Sequence, residues 1–307
     1  MLIISAIFLF REKNIVEKYE TDKYAEGFFQ KELYSDHLCV VSENITYNKF
    51  QTDDEFHAAA LLKLKDKEVL YAENMHERIY PASTTKILTT YLALKYGNMN
   101  DVVEVSENAA NVPSDSSRAG LKQGDQLMLE DLLYALMLPS GNDAAVAVAE
   151  HISGSVDAFV GLMNQEAKKL GMTHSNFVNA HGYQDENHYT TAYDLYLVFH
   201  QCVQNEKFLE IVSSPNHTAQ ITESDGVVRE DSWMQSNQFI NGDTPVPDDI
   251  VVVGGKTGTT DEAGACLVLY ATDSESNPYI SIIMGAESKP VLYKNMKSLI
   301  STLQTEQ

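Results

Sequence analysis

The 307-residue sequence has few of the residues that mark several large classes of protein. Only 22 Lys and Arg residues stand against 44 Asp and Glu, and a formal charge of −22 repels the phosphate backbone of nucleic acids. The three cysteines, Cys39, Cys202 and Cys266, are too few and too far apart for a metal site, and their odd number excludes full intramolecular pairing. We therefore expect no nucleic-acid partner, no metal and no cofactor.

The sequence also lacks a continuous apolar run of the roughly 20 residues that are needed to cross a bilayer. Residues 1–10 are almost wholly apolar but stop at Arg11. We interpret them as a signal or membrane-anchor segment whose true start lies upstream, with a packed or disordered tail as the alternative. Residues 11–50 are polar with little periodicity, so we predict an N-terminal apolar segment and tether at 1–50 and a folded domain at 51–307.

Hydrophobic patterning in the remainder predicts an α+β fold. The predicted strands are Ala58 to Leu64, Glu68 to Tyr71, Val251 to Val253, Cys266 to Ala271 and Tyr279 to Met284. The predicted helices are one that follows Pro81-Ala82 and others at Leu129 to Leu138, Asp143 to Ile152, Ser155 to Leu170, Tyr193 to Val203 and 290–303. This order predicts an antiparallel sheet flanked by helices, with a mainly helical lobe inserted between parts of the sheet.

The first of three short motifs is Ser83-Thr84-Thr85-Lys86. Ser83 lies at the predicted start of a helix, and Lys86 follows one turn later on the same face. A serine that attacks an acyl carbonyl needs a base within hydrogen-bond reach, and lysine serves only when it is neutral. Burial and the nearby charge of Lys256 would both lower the pKa of Lys86. The motif predicts a nucleophile and its base; the alternative is an N-cap serine and a surface lysine.

The second motif, Ser140-Gly141-Asn142, lies between two apolar helices, where polar side chains need a reason to be buried. Ser140 could relay a proton to a leaving amine. Asn142 could donate a hydrogen bond to the substrate backbone and hold Lys86. The alternative is a turn selected only for its conformation.

The third motif, Lys256-Thr257-Gly258, stands at the end of a predicted strand. An edge strand there could pair with an extended peptide, with Lys256 and Thr257 holding its carboxylate. Gly258 would let the ligand approach the backbone closely, and the N–H groups of Ser83 and Thr259 could form an oxyanion hole. The alternative is a glycine-rich turn with incidental neighbours.

In this order the three motifs resemble those of the serine D-Ala-D-Ala carboxypeptidases, the low-molecular-mass penicillin-binding proteins. The likeness covers roughly residues 55–287. It includes Tyr80-Pro81-Ala82-Ser83, the stretch from Glu130 to Ala145, Phe177 to Gly182 and Asn187 to Ala192 in the family's active-site rim loop, and Thr260 to Gly264.

The resemblance implies a β-lactamase/transpeptidase-like fold. It implies that a peptidoglycan stem peptide ending in D-Ala-D-Ala acylates Ser83, loses its terminal D-Ala and is released by water, and that β-lactam antibiotics inhibit the reaction. The implied catalytic residues are Ser83, Lys86 and Ser140, and the implied substrate-binding residues are Asn142, Lys256, Thr257, Gly258 and Thr259.

The family also implies an extracytoplasmic protein at the cell wall, secreted or anchored to the membrane through its N-terminus. Residues 51–307 would be the penicillin-binding catalytic domain. Many members carry an additional β-rich domain after the catalytic one, and we expect this chain to lack it.

Three other functions stay open from the sequence. A D,D-endopeptidase would use the same motifs to cut cross-links. A β-lactamase of the same fold would need a Glu-x-x-Leu-Asn pattern, whereas Glu186-Asn187-His188-Tyr189 stands in that region. A non-catalytic wall-binding protein would be expected to lose a motif residue, and all are present. The clustered His174, His181 and His188 fit no metal-binding spacing, so we predict structural roles for them.

Overall fold

The computed structural model describes residues 37–304, and the apolar segment predicted at residues 1–10 lies outside them. Among the described residues, the fold belongs to the compact unit that begins at Cys39. The predicted boundary between residues 50 and 51 stays a prediction. Just before that boundary, Ile45 pairs with Ala72 and Phe50 packs into the hydrophobic core.

The described residues form strands and helices that alternate along the chain. The strands are β1 (Ala58–Lys63), β2 (Glu68–Glu73), β3 (Val102–Glu104), β4 (Gln126–Met128), β5 (Asn216–Thr222), β6 (Val228–Met234), β7 (Val251–Thr260), β8 (Gly264–Thr272) and β9 (Pro278–Ala286). The helices are α1 (Lys86–Tyr96), α2 (Glu107–Ala110), α3 (Leu129–Met137), α4 (Asn142–Ser153), α5 (Val156–Lys169), α6 (Ala192–Cys202), α7 (Glu206–Ser213), α8 (Gln238–Asn241) and α9 (Lys289–Ser301), and a 3₁₀ turn at Ala82–Thr85 precedes α1.

The main sheet has five strands in the order β2-β1-β9-β8-β7, and every neighbouring pair is antiparallel. Strands β8 and β9 are almost entirely buried because helices cover both faces of the sheet. On one face, Leu267 and Ile283 form a core with Met296 and Ile300 of α9. On the other face, α6 contacts β9 and the 3₁₀ turn contacts β7, which brings Ser83 to the edge of the sheet.

The predicted α+β class and the antiparallel sheet flanked by helices are confirmed. All the predicted strands and helices are present, with ends that differ by a few residues. Two local placements were wrong. Strand β7 continues through Lys256-Thr257-Gly258 rather than ending before it, and Ser83 lies in the 3₁₀ turn, one turn before α1 begins at Lys86.

A second sheet of four strands, in the order β3-β4-β5-β6, was not predicted. Strands β3 and β4 lie within the stretch that the patterning assigned to a helical lobe, whereas β5 and β6 follow the last helix predicted there, in a stretch where no element was predicted. Strands β3 and β4 have only three residues each. The β5–β6 hairpin buries one face, with Ala219 and Ile221 inward and polar residues between them, so it offers no aliphatic run to detect. Among residues 37–304 no single helix is long and apolar enough to cross a membrane; only α4 and α5 taken together, bent by 82°, reach that length and hydropathy.

Candidate active site

The turn that carries Ser83 is held by the side chains on either side of it. Ala82 has a φ of +46°, a left-handed conformation that is uncommon for a residue with a side chain. The Thr84 hydroxyl donates to the carbonyl of Pro81 at 2.6 Å, and the Thr85 hydroxyl donates to the carbonyl of Ala82 at 2.9 Å. Both threonines are fully buried, so these bonds fix the backbone on either side of Ser83 in one conformation.

Lys86 is fully buried, and its Nζ has three neighbours within hydrogen-bond distance. These are Asn142 Oδ1 at 2.7 Å, the carbonyl oxygen of His181 at 2.9 Å and Ser83 Oγ at 3.0 Å. The amide and carbonyl oxygens can only accept, so they take two N–H groups of the amine. A neutral amine has only two, and its lone pair then faces Ser83 Oγ.

The surroundings of Lys86 favour that neutral form. Burial lowers its pKa well below the ordinary value, the charge of Lys256 lowers it further, and Asp143 acts in the opposite direction. Lys256 is itself buried, which lowers its pKa to about 7, with a contribution from Lys289. The Nζ of Lys256 donates to Ser140 Oγ at 3.1 Å and to the carbonyl oxygen of Thr257 at 3.0 Å.

Ser140 and Asn142 come from the tight connection between α3 and α4. Ser140 has a φ of +66°, and the N–H of Asn142 donates to the carbonyl of Ser117 at 2.9 Å. The buried carboxylate of Asp143 accepts the backbone N–H groups of three consecutive residues, 119–121, at 2.8, 2.9 and 3.1 Å. It therefore fixes the segment that ends the 113–121 loop beside the site. Sequence reasoning missed this role, for which the only signal was a carboxylate at a helix N-terminus.

The Lys-Thr-Gly segment of β7 lies directly against the 3₁₀ turn that carries Ser83. A Cβ added to Gly258 would lie 3.0 Å from Ser83 N and 3.1 Å from the carbonyl oxygen of Pro81, so only glycine allows this approach without displacing the turn. The Thr257 hydroxyl lies 2.8 Å from that of Ser236, and both residues line a cavity beside Ser83.

Two cavities meet at Ser83 and Thr259. One, of about 380 Å³, is lined by Asn142, by Tyr183 and by acidic residues that include Glu262. The other, of about 390 Å³, is lined by Ser140, Thr257, Gly258 and Lys289. The structure thus brings together all eight residues that the sequence predicted for catalysis and substrate binding. The two cavities leave room for an extended ligand on both sides of Ser83.

The rim loop, which runs from Phe177 to Ala192, also borders the site. His181 contributes its carbonyl to Lys86, and its ring, whose pKa burial lowers to about 3, accepts the Tyr183 N–H at Nδ1. His188 Nε2 lies 2.8 Å from the Thr85 hydroxyl, and the His174 N–H donates to Asp194. Within residues 37–304 no three His, Cys, Asp or Glu side chains are grouped so that they could hold a metal ion.

The sequence is similar to a known family and to several of its members. Residues 48–288 match the family model described as D-alanyl-D-alanine carboxypeptidase. The chain is 33% identical over 243 residues to D-alanyl-D-alanine carboxypeptidase DacF of Bacillus subtilis, covering 76% of this chain and 58% of that protein. It is 35% identical over 237 residues to DacA of Haemophilus influenzae, covering 73% and 56%. The chain therefore spans less than two thirds of the length of these curated relatives.

A solved structure shares the fold. The DD-transpeptidase of Streptomyces K15 superposes with a TM-score of 0.76 at 26% identity, covering 84% of this chain and 99% of that one. A protein from the same source, named D-alanyl-D-alanine carboxypeptidase, is 33% identical over 232 residues, which cover 72% of this chain and 77% of that protein.

Gly182 provides a test of how tightly the rim loop is docked. Its φ is +86°, and an added Cβ would lie 1.8 Å from the carbonyl oxygen of Ala82. We expect Gly182→Ala to lower the free energy of unfolding by roughly 1–3 kcal/mol from the backbone conformation alone, with a further loss from the clash. Urea denaturation measures this.

The matched control is Gly161→Ala in α5, where nothing lies within 4 Å of the added Cβ. Alanine is the better helix former, so this change should stabilise the protein by about 0.5–1 kcal/mol. A Gly182→Ala variant as stable as the wild type would show that the rim loop does not pack against the 3₁₀ turn that carries Ser83.

Proposed function

The chain belongs to the D-alanyl-D-alanine carboxypeptidase family, and we propose that it is a serine D,D-carboxypeptidase that removes the terminal D-Ala from peptidoglycan stem peptides. The observation that carries this proposal is the 3.0 Å contact between Ser83 Oγ and the buried amine of Lys86. A serine beside a lysine of lowered pKa is an activated nucleophile, which a purely wall-binding protein would not need.

Acylation begins with proton transfer from Ser83 Oγ to neutral Lys86. The oxygen attacks the carbonyl carbon of the penultimate D-Ala, and the resulting oxyanion accepts hydrogen bonds from the N–H groups of Ser83 and Thr259. The C–N bond then breaks. Ser140 gives its hydroxyl proton to the departing nitrogen and recovers one from Lys256, whose Nζ is 3.1 Å away.

Deacylation reverses these transfers with water in place of the amine. Water attacks the ester carbonyl, its proton returns through Ser140 to Lys256, and Ser83 recovers its proton from Lys86 as the C–O bond breaks. Each lysine ends in the state in which it began. The lowered pKa of Lys256, about 7, suits a group that must both give and take a proton near neutral pH.

Substrate binding is assigned to the residues that surround the two cavities. Asn142 donates to the peptide backbone, and strand β7 offers its edge to an extended chain. Thr257 and Lys256 hold the terminal carboxylate, while Gly258 admits the backbone of the substrate. Lys289 lines the same cavity and adds positive charge for that carboxylate.

The natural partners of this site would be stem peptides ending in D-Ala-D-Ala, with β-lactam antibiotics as acylating inhibitors. A wall substrate requires an extracytoplasmic location, so we assign residues 1–50 to an N-terminal segment and tether and residues 51–307 to the catalytic domain. Support comes from the family match and from the apolar residues 1–10.

A second candidate, transpeptidation, is favoured by one comparison, because the Streptomyces K15 structure bears the name DD-transpeptidase. Both reactions share the acyl-serine and differ only in whether water or an amine takes the acyl group. Adding glycine to the reaction separates them: a transpeptidase yields the peptidyl-glycine product, whereas a carboxypeptidase releases the shortened acid.

The proposed activity is tested by D-alanine release from diacyl-Lys-D-Ala-D-Ala, with and without prior benzylpenicillin. We expect release that benzylpenicillin blocks. The control Ser83→Ala should lose more than about 10³-fold of the rate and keep its melting temperature, because it removes the nucleophile and little of the core. Benzylpenicillin labelling without release would indicate an endopeptidase, and rapid β-lactam turnover a β-lactamase. The absence of both D-alanine release and benzylpenicillin labelling would contradict the proposal and would favour a wall-binding protein.

The role of Lys86 as base predicts the pH dependence of acylation by benzylpenicillin. Only the neutral amine can take the proton, so the rate should fall as the pH drops through the lowered pKa of Lys86. The midpoint should lie well below 10.5, the ordinary lysine value. Lys256→Gln removes a nearby positive charge, which should shift this midpoint to higher pH. A rate independent of pH from about 5 to 9 would contradict Lys86 as the base.

A further inference from the structure

We propose that Thr85 and His188 are positioning residues that aim the backbone N–H of Ser83 into the cleft. This inference rests on the proposed function, since that N–H is assigned there to the oxyanion hole. It concerns a chain of hydrogen bonds, which we call the His188 chain, that runs from Val178 through His188 and Thr85 to the carbonyl oxygen of Ala82.

The direction of every bond in the His188 chain is set by its two ends. The Val178 N–H can only donate, and it donates to His188 Nδ1 at 3.1 Å. The proton of the neutral ring must therefore be on Nε2, which donates to Thr85 Oγ1 at 2.8 Å. The Thr85 hydroxyl then has its own proton free to donate to the carbonyl of Ala82 at 2.9 Å.

The ring of His188 is suited to hold this one arrangement. His188 is only 2% exposed, and its ring packs edge-to-face with that of Phe177 at a centroid distance of 5.5 Å. Burial lowers its pKa to about 4, with Asp185 opposing that shift and Lys86 adding to it. The ring therefore stays neutral at the pH where the enzyme would work, and the donor and acceptor positions do not exchange.

The end of the chain controls Ser83 through the geometry of the peptide bond. In a planar trans peptide the carbonyl of Ala82 and the N–H of Ser83 point in opposite directions. Ala82 is in the left-handed region, so its peptide plane needs an external restraint. The Thr85 hydroxyl and the closely packed Gly182 hold the carbonyl on the inner side. The N–H of Ser83 must then point the opposite way, on the cleft side of the turn, where Ser83 N lies 3.0 Å from the position of a Cβ added to Gly258.

The His188 chain does not include the groups that contact the Lys86 amine and favour its neutral form. Lys86 Nζ contacts Ser83, Asn142 and His181, and neither Thr85 nor His188 is among them. Loss of the Thr85 hydroxyl should therefore weaken stabilisation of the oxyanion and leave the titration of the base unchanged. That combination separates a positioning role from general damage to the site.

The first test reads the tautomer directly. Nitrogen-15 NMR of histidine-labelled wild-type protein should show His188 protonated at Nε2 and unprotonated at Nδ1 across the neutral range. A ring protonated at Nδ1 would overturn the proposal whatever the enzyme's activity, because Val178 could not then donate to it.

The second test compares Thr85→Val with Thr85→Ser in the full chain. Valine keeps the shape of threonine and removes the hydroxyl, whereas serine keeps the hydroxyl. We expect Thr85→Val to lower the plateau rate of Ser83 acylation by benzylpenicillin about 10- to 100-fold. The acidic midpoint of its pH profile should not move, and Thr85→Ser should stay within about threefold of the wild type. In D-Ala release, the loss should appear in kcat rather than KM.

The wild type is measured alongside, so a failure of the proposed function can be distinguished from a failure of the positioning role. A wild type that is neither acylated nor active contradicts the proposed function. A wild type that is acylated, together with a Thr85→Val variant that is equally fast, overturns only the positioning role. If Thr85→Val does not fold, His188→Leu and His188→Gln replace it. Leucine should slow acylation and glutamine, which can still accept and donate, should restore it; equal rates for the two would overturn the proposal.

Discussion

The site depends on one buried amine. Lys86 Nζ is removed from water and surrounded by two oxygens that only accept hydrogen bonds and by the hydroxyl of Ser83. Burial makes the charged form costly, and Lys256 makes it costlier. A lysine that is neutral in this setting must direct its lone pair at Ser83. The activated serine therefore follows from where the lysine is buried and what it contacts.

The fold supplies those contacts from three separate parts of the chain. The turn before α1 carries Ser83 and Lys86, the α3–α4 connection carries Asn142, and the rim loop carries the carbonyl of His181. Strand β7 supports the arrangement, because Gly258 lets the turn lie against the sheet edge. Residues with left-handed backbone, Ala82 and Ser140, occur at two of these junctions, where surrounding hydrogen bonds hold them. Such conformations are typical of functional sites.

Much of this could be predicted from the sequence, and the limits have physical causes. Ser83 and Lys86 were predicted as a pair because helical spacing alone places them on one face. The main sheet was predicted because its strands are aliphatic. The β5–β6 hairpin was missed because only one face is buried. The role of Asp143 was missed, and a structural role was predicted for His188 without its partner, because the residues that they contact lie 22–24 and 103 residues away and only the fold brings them together.

The central claim, that Lys86 is neutral in the resting protein, can be tested without any substrate. Nitrogen-15 NMR of protein labelled at lysine Nζ, with the Lys86 signal assigned through a Lys86→Arg variant, follows the protonation of this amine with pH. The account predicts a titration midpoint for Lys86 well below the ordinary value of 10.5 and separate from those of the exposed lysines. Titration of Lys86 together with the surface lysines, near the ordinary value, would contradict it.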